Sequence, residues 1–171
     1  MKKYGKTALI VAAVAVVFLA AYFVISALWQ PKEPQPAPDV TGVTADGSRL
    51  YSLSENKGKS GAVLIFFNLN TGNAVETMEQ LSRLSAEFPT VDVIAVSTGE
   101  GTIPEQLSAM KEHGITAFPH TLFDVDGEMA KTYNVHGTPV TYFIDKNGLV
   151  QDCFISVISE KSMRKALALI A

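Results

Sequence analysis

The loop Asn70, Thr71, Gly72, Asn73 and Ala74 occupies the position in this chain best suited to chemistry. It follows an apolar run, Val63 to Phe67, of the kind that makes a buried central strand. It precedes apolar residues at helical spacing: Val75, Met78, Leu81, Leu84 and Phe88. At the end of a strand and the start of a helix, free N–H groups and the helix dipole favour an anion or a thiolate. This loop offers no thiol. Its N–H groups could hold a small anion, or could simply be satisfied within the helix end.

Cys153 is the chain's one cysteine. One cysteine cannot pair within its own chain, which excludes a disulfide framework and a dithiol redox pair. It also excludes a cysteine-rich zinc or iron–sulfur site. Cys153 alternates with Gln151 and Ile155 on an expected strand, beside Asp152 and no cation. It reads as a half-buried small side chain, with an intermolecular disulfide as the alternative. His113, His120 and His136 are the only histidines. They do not suggest a metal set, and neither a metal nor another cofactor is expected. Glu76 and Glu79 read as a solvated helix face that favours the dipole, not as an acid/base pair.

These residues need elements to position them. The pattern predicts a hairpin over Val40 to Tyr51 turning at Asp46-Gly47, and one helical turn over Ser52 to Asn56. A strand at Ala62 to Phe67 then leads into a helix from Asn73 to Phe88. Asn73 with Glu76, or Thr71, would cap that helix. A strand over Val91 to Ser97 and a helix over Ile103 to His113 follow, with Leu107 and Met110 inward and Gly114 ending it. Next come a strand at His120 to Phe123 and a short helix to Asn134. A strand then opens at His136-Gly137-Thr138-Pro139 and runs to Asp145. A turn at Lys146 to Gly148, a strand over Leu149 to Ile155 and a helix from Ser159 to Ile170 complete the order. It implies a mixed sheet with helices on both faces.

The chain has 171 residues, is 47% hydrophobic and carries a net charge of −3. Mild acidity with no basic run argues against a nucleic-acid surface. Ala8 to Trp29 carries no charge and would span about 33 Å as a helix, enough to cross a bilayer. Lys2, Lys3 and Lys6 precede it, so residues 1–7 are expected in the cytoplasm and the rest on the exported side of a bacterial-type membrane. The run is too long for a cleaved signal peptide, the competing reading, so 8–29 is read as an uncleaved anchor. Residues 30–39 contain Pro31, Pro34, Pro36 and Pro38 and read as a semi-extended spacer, leaving 40–171 as the folded domain.

Several motifs fall in a telling order: A-P-D-V at 37–40, D-G-x-x-x-x-x-L-S from Asp46 to Ser54, H-G-T-P at 136–139 and Y-F-I-D-K-N-G at 142–148. Together they resemble the TlpA/ResA branch of the thioredoxin fold. Its members are membrane-tethered, extracytoplasmic thiol–disulfide oxidoreductases related to the redoxin (AhpC/TSA) group. The resemblance covers about residues 37–171. It implies an α/β thioredoxin-like mixed sheet preceded by one transmembrane helix. It would place Thr71 and Ala74 at the two cysteine positions of C-x-x-C, Asn70 at a tryptophan position and Thr77 at that of a proton-transferring glutamate. The expected redox groups are therefore gone. The resemblance also implies a cis Pro139, with Thr138 pairing backbone to backbone with a substrate peptide. The function expected is a binding module or accessory subunit for an extracytoplasmic protein or membrane complex, through the loop, His136, Thr138 and Pro139. The alternative is thiol–disulfide exchange through Cys153 alone, of the cytochrome c maturation or redox homeostasis type. A third reading is a spacer with no specific groove.

Overall fold

A computed structural model describes residues 33–71 and 73–171. The anchor expected at 8–29 and the loop residue Gly72 lie outside the described residues. In chain order the elements begin with β1 (Gln35–Pro36), β2 (Thr41–Val43) and β3 (Leu50–Ser52). After a single 3-10 turn (Leu53–Asn56) come β4 (Gly61–Phe67), α1 (Ala74–Ser85), β5 (Val91–Ser97) and α2 (Ile103–Glu112). Then follow β6 (His120–Phe123), α3 (Glu128–Thr132), β7 (Val140–Ile144), β8 (Leu149–Ile155) and α4 (Glu160–Ile170).

The main sheet has six strands in the order β1-β8-β7-β4-β5-β6. β4, β5 and β6 run parallel, while β7 and β8 return antiparallel. Every residue of β4 is buried, because neighbours pair with both its edges and both faces are covered. Its side chains alternate between two cores. Val63, Ile65 and Phe67 pack with α1, α4 and Met110 of α2. Ala62, Leu64 and Phe66 pack with Val40, Tyr51, Tyr133 and the α3 side chains Met129 and Ala130. Gly61 starts the strand where α4 ends: a Cβ there would lie 2.2 Å from the Ile170 carbonyl oxygen.

Several elements differ from the sequence pattern. The first helix stops at Ser85, and Phe88 closes a following turn by donating to the Ser85 carbonyl. On α2 the buried positions are Gln106 and Met110, while Leu107 is half-buried. β7 begins at Val140 and not at His136, since the ladder to β4 and β8 starts at Val140; the Thr138-Pro139 bond before it is cis. The spacer expected over 30–39 is not free along its length. Gln35 and Pro36 pair with Val150 and Leu149, the Ala37 N–H donates to Gly148 O at 2.8 Å, and the Pro38 carbonyl accepts from the Tyr133 hydroxyl at 2.5 Å. The proline residues do not prevent this, because an edge strand needs donors on one side only. β8 carries a bulge: Phe143 faces Asp152 and Ile144 faces Val150, leaving Gln151 extra. β1 pairs only below it, since the bulge breaks the phase of the outer donors and acceptors.

The β2–β3 hairpin lies against β6 through Tyr51, whose ring stacks on His120 with centroids 4.0 Å apart and planes at 13°. Arg49 covers the other face of that ring, 5.0 Å from its centroid. The Tyr51 hydroxyl donates to Asn56, whose amide donates to Asp92 at 2.6 Å. His120 Nδ1 is buried without a hydrogen-bond partner among the described residues.

Two expectations follow. Gly61→Ala should lower stability by about 1–3 kcal/mol through overpacking against Ile170, read by urea denaturation. Burial lowers the His120 pKa, with Asp92 opposing the shift and Arg49 adding to it. Below an unfolded value of about 6.5 the unfolded chain then binds more protons, so stability is lost as pH falls through that value. His120→Asn should flatten this part of the denaturation-midpoint profile against pH.

Candidate functional site

The parallel strands β4, β5 and β6 end at one pole of the sheet. Val140 of β7 pairs with Phe66 and with Ile155 of β8, so the loops entering β7 and leaving β8 reach the same pole. This gathers the loops 68–73, 98–102, 124–127, 134–139 and 156–159 around the N-terminus of α1. The chain enters the domain at the opposite pole, where β1 pairs with the start of β8.

The loop after β4 is bonded to itself. Asn68 Oδ1 accepts from the Asn70 N–H at 2.9 Å, an Asx turn. The Thr71 N–H and hydroxyl both donate to the Asn68 carbonyl, at 3.0 and 2.6 Å. The Ala74 N–H donates to Thr71 O at 3.1 Å. Thr77 is buried, and its hydroxyl donates back to Asn73 O at 2.9 Å. The N–H groups of Asn70, Thr71 and Ala74 thus have partners within the loop. The expected capping box is absent. Asn73 is the cap residue, but its side chain makes no capping bond and its Nδ2 lies 3.4 Å from Ser156 Oγ.

Ser156 joins the loop to the proline. Its N–H donates to Pro139 O at 2.8 Å, and its backbone sits at φ 74°. Asn73, Ser156 and Pro139 therefore form one connected set. Pro139 is buried and Thr138 half-buried, while His136 and Gly137 are exposed. No hydrogen bond to the backbone or the hydroxyl of Thr138 occurs among the described residues. Ser156 carried no signal in the sequence, since a left-handed serine in a turn has no composition cue.

On the other side of the loop, a small cavity of about 80 Å³ lies between Asn70, Ser97, Glu100, Glu105 and Gln106. The buried Gln106 accepts from the Ser97 hydroxyl at 2.6 Å and donates to Gly101 O at 3.1 Å, bracing the β5–α2 turn. Its spacing from Met110, one turn on, was a readable sign of an inward amide.

Cys153 is exposed, a correction to the half-buried reading. It sits opposite Tyr142 on the outermost long strand, mid-strand and not in the loop. Its N–H faces outward and donates to Asp152 Oδ1 at 2.9 Å. Desolvation of the thiol raises its pKa and Asp152 adds to the rise, while the Tyr142 hydroxyl opposes it. Such a thiol is not poised as a nucleophile. The histidines stand apart: His120 starts β6, His136 lies at the loop pole and His113 follows α2. Among the described residues no three of His, Cys, Asp and Glu form a metal-holding group.

A helix beginning beneath a cysteine-free loop, beside a cis-proline at the end of a mixed sheet, has the layout of a thioredoxin-like protein without its dithiol. The family model described as the AhpC/TSA family matches residues 34–153, and the chain belongs to that family. Within it, the chain is similar to the thioredoxin-like protein YneN of Bacillus subtilis, at 31% identity over 81% of this chain and 80% of that protein. It is also similar to the thiol:disulfide interchange protein DsbE of Pseudomonas aeruginosa, at 26% identity over 95% of this chain and 92% of the relative. Among solved structures, a thiol:disulfide interchange protein of the thioredoxin family from Chlorobium tepidum superposes with a TM-score of 0.68 at 19% identity, covering 82% of this chain and 99% of that one. The chain is thus a thioredoxin-like redoxin related to DsbE-type and TlpA-type proteins, with a degenerate C-x-x-C.

The Ala74 N–H bond to Thr71 O ties these two residues as the ends of a four-residue turn, whose ends lie within reach of a disulfide. T71C/A74C should therefore gain an intramolecular disulfide, read as the loss of two titratable thiols on oxidation and their return on reduction. Asp152→Asn should speed alkylation of Cys153 at neutral pH, read against the unmodified chain by mass spectrometry.

Proposed function

We propose that this protein is a membrane-tethered, extracytoplasmic thioredoxin-like module that has given up dithiol catalysis and binds an extended segment of a protein partner. Thioredoxin chemistry needs a low-pKa thiolate at a helix N-terminus and a second thiol to resolve the mixed disulfide. Thr71 and Ala74 supply neither, and the Thr71 hydroxyl is turned onto Asn68. The observation that carries the binding role is Thr138. Its backbone lies at the loop pole without a partner, next to Pro139 and the Asn73–Ser156 contact. An extended peptide can pair there by strand addition. The tether is supported by the uncharged run 8–29 behind Lys2, Lys3 and Lys6, which favours a cytoplasmic N-terminus. The partner is then an exported protein or a subunit of a membrane complex.

Exchange through Cys153 alone is the second reading, favoured by the exposure of that residue. Its raised pKa and its distance along β8 from the loop weigh against it. The test is a pull-down of the detergent-solubilised full-length protein and its Cys153→Ser variant, with and without reductant. A partner recovered equally in all conditions supports the binding role. A partner lost from Cys153→Ser, or released by reductant, transfers the function to the thiol.

A further inference from the structure

We infer that the segment received at Thr138 is basic, with lysine or arginine side chains alternating with apolar ones. This inference rests on the binding role proposed above. The loops gathered at that pole, 68–73, 98–102, 124–127, 134–139 and 156–159, contain no lysine or arginine. Carboxylates flank them on two sides. Glu76 and Glu79 stand beside Val157 in the groove between α1 and α4, and Glu100 stands beside Asn70. None of these carboxylates has an ion-pair or hydrogen-bond partner among the described residues. Arg83, which also lines the groove, is held by Glu160 at 2.8 Å, and Lys161 is one residue into α4. Elsewhere three exposed pairs compensate one another, Arg49 with Glu55, Lys131 with Glu128 and Arg164 with Glu87, while Lys57, Lys59, Lys111 and Lys146 have no ion-pair partner among the described residues.

The same pole also exposes apolar side chains. Ile155 is 78% exposed, Val125 66% and Val157 39%. An extended segment presents successive side chains on opposite sides, so one set can meet Ile155 and Val157 while the other meets the carboxylates. Rim charges of one sign, left without countercharges, select a partner of the opposite sign and repel like-charged competitors. The free Thr138 backbone gives register and the carboxylates give sign.

The experiment uses the detergent-solubilised full-length protein and three labelled, extended peptides of the same apolar residues. Lysine, glutamine or glutamate occupies the alternate positions. Each carries a photoreactive group so that the attachment site is mapped. The lysine peptide should bind at least about tenfold tighter than the glutamate peptide at low ionic strength, with the gap shrinking as salt is added. Attachment should fall in 134–139 or 155–159. The triple variant E76Q/E79Q/E100Q should bring the lysine and glutamate peptides to within about threefold of each other while still binding the glutamine peptide. Equal binding of all peptides at those loops would overturn the charge inference and leave the groove standing. A lysine preference that survives the triple variant would overturn it too. Failure of every peptide to attach there would remove the binding role itself.

Discussion

Everything in this domain hangs on the burial of β4. Its seven residues are wholly buried, paired to β5 on one edge and β7 on the other. Burying an aliphatic or aromatic side chain contributes roughly 1.5–3 kcal/mol, and β4 does so on both faces at once. The strand therefore fixes which elements lie on either side. It also fixes where the chain must leave the sheet, and that exit is the loop at Asn68 to Asn73. The loop's position follows from packing and does not depend on what the loop contains. A reactive centre can disappear from such a place without disturbing the scaffold, because Thr71 and Ala74 are satisfied by the local turn alone.

The features legible in the sequence were those set by period and punctuation. The apolar run Val63 to Phe67, the spacing of Met78, Leu81 and Leu84, and the Asp145 to Gly148 turn each follow from local rules. So did the β-α-β order. What escaped was set by tertiary contact. Gln35 and Pro36 join the sheet on the outer edge of β8, opposite β7, a fact that no proline-rich composition announces. Cys153 turned out exposed because β8 lies near the sheet edge, where alternation no longer means burial. Ser156 closes the site only through a backbone conformation that its residue type does not advertise. His120 meets Tyr51 from a hairpin distant in sequence.

The site and the entry of the chain occupy opposite poles of the sheet. Segments 34–37 dock at the start of β8, while the loops around Thr138 lie beyond its end. On the proposed reading, this frees the loop pole for a partner. On that reading, the fold presents the Thr138 backbone, without a hydrogen-bond partner among the described residues, beside a cysteine-free helix start. The function proposed for it is then recognition, with the acidic surroundings of the loop deciding what it accepts.

The most direct test of this account places a photoreactive amino acid at Thr138 in the full-length protein, in cells, with a second copy of the experiment at Lys57 on the opposite pole. The account predicts one dominant cross-linked partner from Thr138, obtained equally with and without reductant, and none of it from Lys57. Cross-linking of that partner from Lys57 but not from Thr138 would contradict it.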